Sequence, residues 1–153
     1  MKAIAGRGVL AGFLTGAGLL LAANAPVEAE SFEIAVSNVR SNSGRVEVAI
    51  CPESTYLKDC PYNFSAPARM GTTIVTAINV PFGVYAAQVF HDENSNKKVD
   101  RAFFGIPKEG VGFSNDAPIV FSAPKFAATK FRFGGPHEKI TLKLRYFIGK
   151  KGG

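Results

Sequence analysis

The sequence predicts an all-β fold, an antiparallel β-sandwich of about seven strands, for two reasons. Apolar and polar residues alternate in several short segments, as half-buried strands require, and the clearest alternation runs from Ile140 to Phe147. Glycine, proline and asparagine separate these segments, and no segment shows the period of an amphipathic helix. Many short strands with frequent turns and no helices are typical of a sandwich.

The first half of the domain contains four of these segments. Residues 32–36 and 46–50 alternate cleanly and flank turn residues at 42–44, so we expect these two strands to pair as a hairpin. Residues 72–80, which are rich in β-branched side chains, and residues 84–90 are predicted to be further strands.

The last two segments, residues 127–133 and 140–147, flank a glycine-rich turn and are predicted to pair with each other. The inward positions of the second segment are Ile140, Leu142, Leu144 and Tyr146. The pairing would bring four outward-facing basic residues onto one face: Lys130, Arg132, Lys143 and Arg145. Such a face is a candidate docking surface for anionic components of the cell envelope.

Residues 105–118 contain too many glycines and prolines for a helix or a central strand. We expect an ordered but irregular loop, held down by apolar side chains that pack beneath it. These side chains are Phe103, Phe104, Ile106, Val111 and Phe113.

Residues 1–29 have the features of a cleaved secretory signal peptide, with two basic residues followed by an uncharged apolar run from Gly8 to Ala25. Small residues permit cleavage after Ala25 or after Ala29, and the second site is preferred because Pro26 would lie beside the first. The remainder is then one β-sandwich domain over 30–148 with a frayed tail at 149–153. We therefore expect a periplasmic or secreted protein that does not span the membrane after cleavage.

The charge balance sets the classes of partner to consider. Removing Lys2, Arg7 and Glu28 from 18 basic and 12 acidic residues leaves 16 against 11, a net charge of +5. This modest excess, in an exported chain, argues against nucleic acid as a partner. Anionic envelope components or another envelope protein are the partners that it permits.

Cys51 and Cys60 are the only cysteines. An isolated pair in an exported chain is typical of a disulfide, because a metal site would need closer spacing and more soft ligands. We expect the bond to pin a surface loop.

The segment from His91 to Asp100 has the clearest pattern of potential metal-ligand side chains. Asp92, Asn94, Asn96 and Asp100, with the carbonyl of Lys98, follow the spacing of a calcium loop. Lys97 and Phe103 stand where a strong calcium loop has glycine and glutamate, so any affinity for Ca²⁺ should be weak. The alternative is that these Asp and Asn residues only end a strand and shape a tight connection.

Two functions stay open on the sequence alone. The leading hypothesis is a non-enzymatic exported module, serving binding or envelope structure, with the 92–100 loop stiffened by calcium. The alternative is a small hydrolase or metal-dependent enzyme that uses His91, Asp92 and Glu109 in one concave pocket.

The chain resembles the DUF2141 family, exported bacterial proteins of unknown function. The resemblance rests on His91 to Asn94 with Asn96 and Asp100, followed by the segments 105–110 and 112–115. It covers about residues 32–147 and implies a prealbumin-like (transthyretin-like) sandwich, with no established activity. Because the two motifs are linked, we expect both loops to form one structured edge of the sandwich.

Overall fold

The computed structural model describes residues 31–149, which form two β-sheets that enclose one core. The predicted all-β sandwich is confirmed, with eight strands and one short helix. In chain order the elements are β1 (Ser31–Val39), β2 (Arg45–Cys51), β3 (Tyr62–Pro67), β4 (Gly71–Ile78), β5 (Gly83–Asp92), β6 (Val111–Phe113), α1 (Phe126–Thr129), β7 (Phe131–Phe133) and β8 (Lys139–Lys143). The predicted signal peptide and residues 150–153 of the predicted tail lie outside the described residues.

The two sheets divide the strands unequally. The first sheet has the order β4-β1-β8, and the second has the order β3-β2-β5-β6, with β7 pairing to β5 as well. All pairs are antiparallel except β1 with β8, which run parallel. No helix within residues 31–149 is long and apolar enough to cross a membrane.

The predicted hairpin of β1 with β2 is wrong, because the two strands belong to different sheets. β1 pairs with β4 and β8, whereas β2 pairs with β3 and β5. The connection between them crosses the sandwich at Gly44, whose φ is +68° and where a Cβ would lie 1.8 Å from the carbonyl oxygen of Asp92. Both strands bury alternate residues in the same core from opposite sides, so their alternation alone does not identify their partners.

The core lies between the sheets and follows the predicted alternation. In and after β8, Leu142, Leu144 and Tyr146 are buried while the residues between them are more exposed. Phe32 of β1 stacks at a tilt on Phe133 of β7, with ring centroids 4.6 Å apart. Each fully buried side chain of this size contributes about 1.5 to 3 kcal/mol relative to an exposed one.

The predicted pairing of the last two segments is also wrong. β7 pairs with β5 and β8 pairs with β1, so residues 134–138 lead from one sheet to the other rather than forming a hairpin. Residues 127–129, expected at the start of a strand, lie in α1. The predicted basic face depended on this pairing, which is absent; its residues were Lys130, Arg132, Lys143 and Arg145. Arg145 instead forms an ion pair with Asp116 at 2.8 Å.

The predicted disulfide between Cys51 and Cys60 is present. Cys51 ends β2, and both cysteines are buried. The bond closes the loop that carries Tyr56 and Leu57 against the second sheet. On the loop-entropy account a closure of this length stabilises the fold by about 2 to 3 kcal/mol.

Candidate functional site: a braced acidic loop beside an apolar groove

The acidic loop, residues 92–100, leaves the end of β5 around a buried carboxylate. Asp92 is completely buried. Its Oδ1 accepts the N–H of Asn96 at 3.0 Å, and its Oδ2 accepts the N–H of Lys97 at 2.8 Å. The carboxylate thus fixes the turn of the loop by charge-assisted hydrogen bonds to the backbone.

Three of the predicted ligand side chains contact one another on this loop: Asn94, Asn96 and Asp100. The carboxylate of Asp100 accepts the side-chain N–H groups of Asn94, at 2.7 Å, and of Asn96, at 3.1 Å. The amide oxygen of Asn96 accepts the N–H of Lys98 at 2.8 Å. The loop is closed by its own hydrogen bonds, and within residues 31–149 no group of three or more His, Cys, Asp or Glu side chains is arranged to hold a metal ion. Calcium binding at this loop stays a prediction.

Glu109, from the segment after the loop, braces both of its ends. Its Oε1 accepts the N–H of Glu93 at 3.1 Å, and its Oε2 accepts the N–H of Asp100 at 3.1 Å. The N–H of Lys108 also donates to the carbonyl of Asp100 at 2.8 Å. Burial raises the pKa of Glu109, and the two backbone donors oppose that rise. The expectation that the two loops form one structured edge is therefore confirmed.

His91 anchors the same edge from inside the core. It is completely buried, its Nδ1 lies 2.8 Å from the Oη of Tyr146, and its Nε2 lies 2.8 Å from the carbonyl of Ser43. The carbonyl can only accept, so Nε2 carries the proton and Nδ1 accepts from the tyrosine hydroxyl. Burial raises the pKa of Tyr146 to about 12, which keeps this donor protonated.

Arg40 and Glu93 form the outer layer of this edge. The Nε of Arg40 donates to the two carboxylate oxygens of Glu93 at 3.0 and 3.1 Å, and its Nη2 donates to the same carboxylate. The guanidinium carbon also lies 4.4 Å from the ring centroid of Tyr146. The Arg40 hydrogen bond holds the pKa of Glu93 below its ordinary value.

The shared pocket that the enzyme alternative requires is not observed. His91, Asp92 and Glu109 are all buried, and each is engaged with a different set of partners at this edge. None of them lines the large groove described next. Their hydrogen bonds assign them to the architecture of the edge.

An apolar groove of about 1370 Å³ lies on the outer face of the second sheet. Its floor consists of outward-facing residues of β2, β5 and β6, which include Glu47, Ala49, Gln88, Phe90 and Phe113. Three stretches form its walls: residues 97–107, residues 119–123 and residues 147–148. The acidic loop supplies Lys97 and Val99 to the first wall, so the braced edge and the groove are one site.

Three exposed residues contradict the predicted packing of the 105–118 loop: Phe103, Phe104 and Ile106. Phe104, on the first wall, and Phe121, on the second, are fully exposed, and both have φ of +59°. Neighbouring Phe103 is 88% exposed, whereas Phe113 is buried as predicted. A bulky residue in the left-handed region costs about 1 to 3 kcal/mol and typically marks a functional position. Here the backbone turns hold two large apolar side chains in solvent above an apolar groove.

The charged residues that line the groove lie toward one end of it. They are Arg45, Glu47, Lys97 and Arg101. Arg45 opens β2 and pairs with Asp92, where β5 passes into the acidic loop. Burial raises the pKa of Glu47, while nearby Arg45 and Lys97 oppose that rise.

Sequence reasoning located the acidic loop but missed the groove. The loop was visible because Asp and Asn at alternate positions are a local pattern. The groove depends on which strands share a sheet, which local alternation does not reveal. Its sequence signal is the cluster of phenylalanines near Gly105, a pattern that equally fits a packed loop.

The fold and its braced loop define a class of protein: an all-β sandwich with an acidic connection after its central strand. The family model of DUF2141, described as an uncharacterized protein conserved in bacteria, matches residues 34–141. The chain therefore belongs to the DUF2141 family, and the predicted resemblance is confirmed. No curated protein and no solved structure matches the chain significantly. The prealbumin-like detail of the fold stays an expectation.

Replacing Lys97 with glycine should stabilise the fold. Lys97 has φ of +60°, a conformation that glycine adopts without steric strain. Removing that strain, less the extra entropy of an unfolded glycine, should raise the free energy of unfolding by roughly 0.5 to 1 kcal/mol. Urea denaturation checks this. The matched control is Lys98→Gly, one residue on and without positive φ, which should lower stability; equal effects of the two variants would contradict the assignment of strain.

Replacing Glu93 with glutamine should cost stability in a pH-dependent way. Loss of the charged pair with Arg40 should lower the free energy of unfolding by about 1 to 2 kcal/mol at pH 7. The folded pKa lies below the ordinary 4.5, so this difference should persist above pH 4.5 and vanish as the pH falls through the folded value. Urea denaturation of wild type and variant from pH 3 to pH 7 measures the difference.

The matched control for that measurement is Glu33→Gln. Glu33 lies 3.7 Å from Lys139, and both side chains are more than half exposed. Removing this pair should change stability by less than roughly 0.5 kcal/mol at any of these pH values. A larger loss for Glu33→Gln than for Glu93→Gln would overturn the importance given to the Arg40 contact.

Proposed function

We propose that this protein is an exported, non-enzymatic binding module and that the groove is its binding site. The observation that carries the proposal is an apolar groove on a rigid sheet with two strained, solvent-exposed phenylalanines at its rim. Concave, mainly apolar sites with a few polar groups are where proteins bind small ligands. Covering an exposed aromatic ring contributes strongly to binding free energy, because it removes a large apolar area from water.

The size of the groove favours an extended apolar ligand over a compact metabolite. Its volume of about 1370 Å³ exceeds the roughly 300 to 1000 Å³ of ordinary small-molecule pockets. The walls are loop segments, so a long, narrow ligand would contact the floor and the loops together.

Export is supported by two independent features. The N-terminal 29 residues have the composition of a signal peptide, and Cys51 and Cys60 are joined by a disulfide. Such bonds persist in the oxidising compartments outside the cytoplasm. The periplasm or the cell exterior is therefore the proposed location, and envelope molecules are the proposed partners.

The acidic loop has a supporting role in this proposal, because it holds one wall of the groove. The second part of the proposal is that Ca²⁺ stiffens the loop further, with ligands from Asp92, Asn94, Asn96, Asp100 and the Lys98 carbonyl. Thermal melts with 5 mM CaCl₂ and with chelator test this. A melting temperature that is the same in both would show that Ca²⁺ does not stabilise the loop.

The groove itself is tested with N-phenyl-1-naphthylamine, an uncharged apolar probe whose fluorescence rises on leaving water. The protein should bind it, and Phe104→Ser and Phe121→Ser should each weaken binding by about tenfold, because each removes a ring that covers the probe. Fluorescence titration gives the dissociation constants.

Phe103→Ser is the matched control for the probe experiment. Phe103 precedes Phe104 and is also highly exposed, but it does not line the groove. Its replacement should leave probe binding unchanged. If Phe103→Ser weakens binding as much as Phe104→Ser, the probe binds elsewhere, and if no probe binds to the wild type, the proposed function fails.

A further inference from the structure

We infer that the groove takes a single-chain anionic amphiphile, a long-chain carboxylate of the fatty-acid type, with its head at the charged end and its chain along the apolar end. This inference rests on the proposed function and adds the chemical class of the ligand. It follows from the uneven distribution of charged residues along the groove and from the ion pairs that these residues form or lack.

The charged end carries an excess of positive charge. Arg45, Lys97 and Arg101 line it with one carboxylate, that of Glu47. Arg45 lies 3.8 Å from Glu47 and also donates to Ser65, so these two charges largely compensate each other. Lys97 and Arg101 remain as the excess.

Lys97 and Arg101 are available for an anion. Among residues 31–149, no carboxylate oxygen lies within 4 Å of either side-chain cation. Arg101 donates one N–H, from Nη1, to the carbonyl of Gly105 at 2.9 Å, which orients its guanidinium and leaves further N–H donors. A ligand carboxylate that reaches either side chain would gain charge-assisted hydrogen bonds that no carboxylate among residues 31–149 supplies.

The other end of the groove lacks charge. The lining residues there include Ala49, Leu57, Phe113 and Ala123, and no acidic or basic side chain lines this end. The hydroxyl of Tyr56 donates to the carbonyl of Pro124 at 2.8 Å, which ties the disulfide loop to the second wall. An apolar chain that begins at Lys97 and Arg101 therefore runs along the floor between fixed walls.

The groove fits a free amphiphile better than the surface of a bilayer. Its floor is the sheet itself, and its walls are loop segments. A chain laid lengthwise reaches the floor, whereas an intact lipid surface would meet only the rim. We therefore commit to a monomeric ligand.

The test compares three C12 amphiphiles, each below its critical micelle concentration, by displacement of N-phenyl-1-naphthylamine from the full chain. Laurate should bind at least about tenfold more tightly than dodecyltrimethylammonium, with dodecyl maltoside between them. The double variant Lys97→Gln/Arg101→Gln should weaken laurate about tenfold and leave dodecyl maltoside unchanged. Lys98→Gln is the matched control, since Lys98 is adjacent but does not line the groove.

The outcomes separate this inference from the proposed function. If the three amphiphiles bind equally and the double variant has no effect, while the uncharged probe still binds and Phe104→Ser still weakens it, the anionic head is overturned and the binding function stands. If neither the probe nor any amphiphile binds, both fail. Binding to phosphatidylglycerol vesicles without binding to monomeric laurate also overturns the inference.

Discussion

Two buried carboxylates, Asp92 and Glu109, hold the acidic-loop edge of this sandwich together. Each accepts two backbone N–H groups, and together they fix both ends and the turn of one loop. A buried carboxylate is costly to desolvate, and backbone donors compensate for that cost. The two buried carboxylates therefore fix the position of one wall of the groove, which contains Lys97, Val99 and Arg101.

The same edge also buries His91, a residue type often found in catalytic sites. His91 binds Tyr146 and the carbonyl of Ser43, and Arg40 covers the same tyrosine from outside. Polar networks of this kind stabilise a fold only when every member is satisfied, and among the described residues no buried side-chain N or O lacks a partner. The hydrogen bonds of His91, Asp92 and Glu109 serve the architecture of this edge, and none of the three lines the neighbouring apolar groove.

The sequence predicts the local features of this molecule better than its pairings. The inward faces of β1, β2 and the last segment follow from alternation, because side chains of a strand point to opposite sides by geometry alone. The partners of β1 and β8 do not follow, since both sheets bury the same kind of residue in one core. The braced loop was predictable from Asp92 and Asp100, whereas exposure of Phe104 and Phe121 depends on backbone angles that no pattern encodes.

The parallel pair of β1 and β8 joins the first strand of the domain to its last. Ile34 lies opposite Ile140, so more than a hundred residues separate the paired positions. The first sheet therefore gains its third strand, β8, only after this long segment is in place. Contacts this distant in sequence are slow to form, because the closing of a long loop precedes any gain from the contact. A chain with this topology therefore cannot complete its first sheet until its last strand is available for pairing.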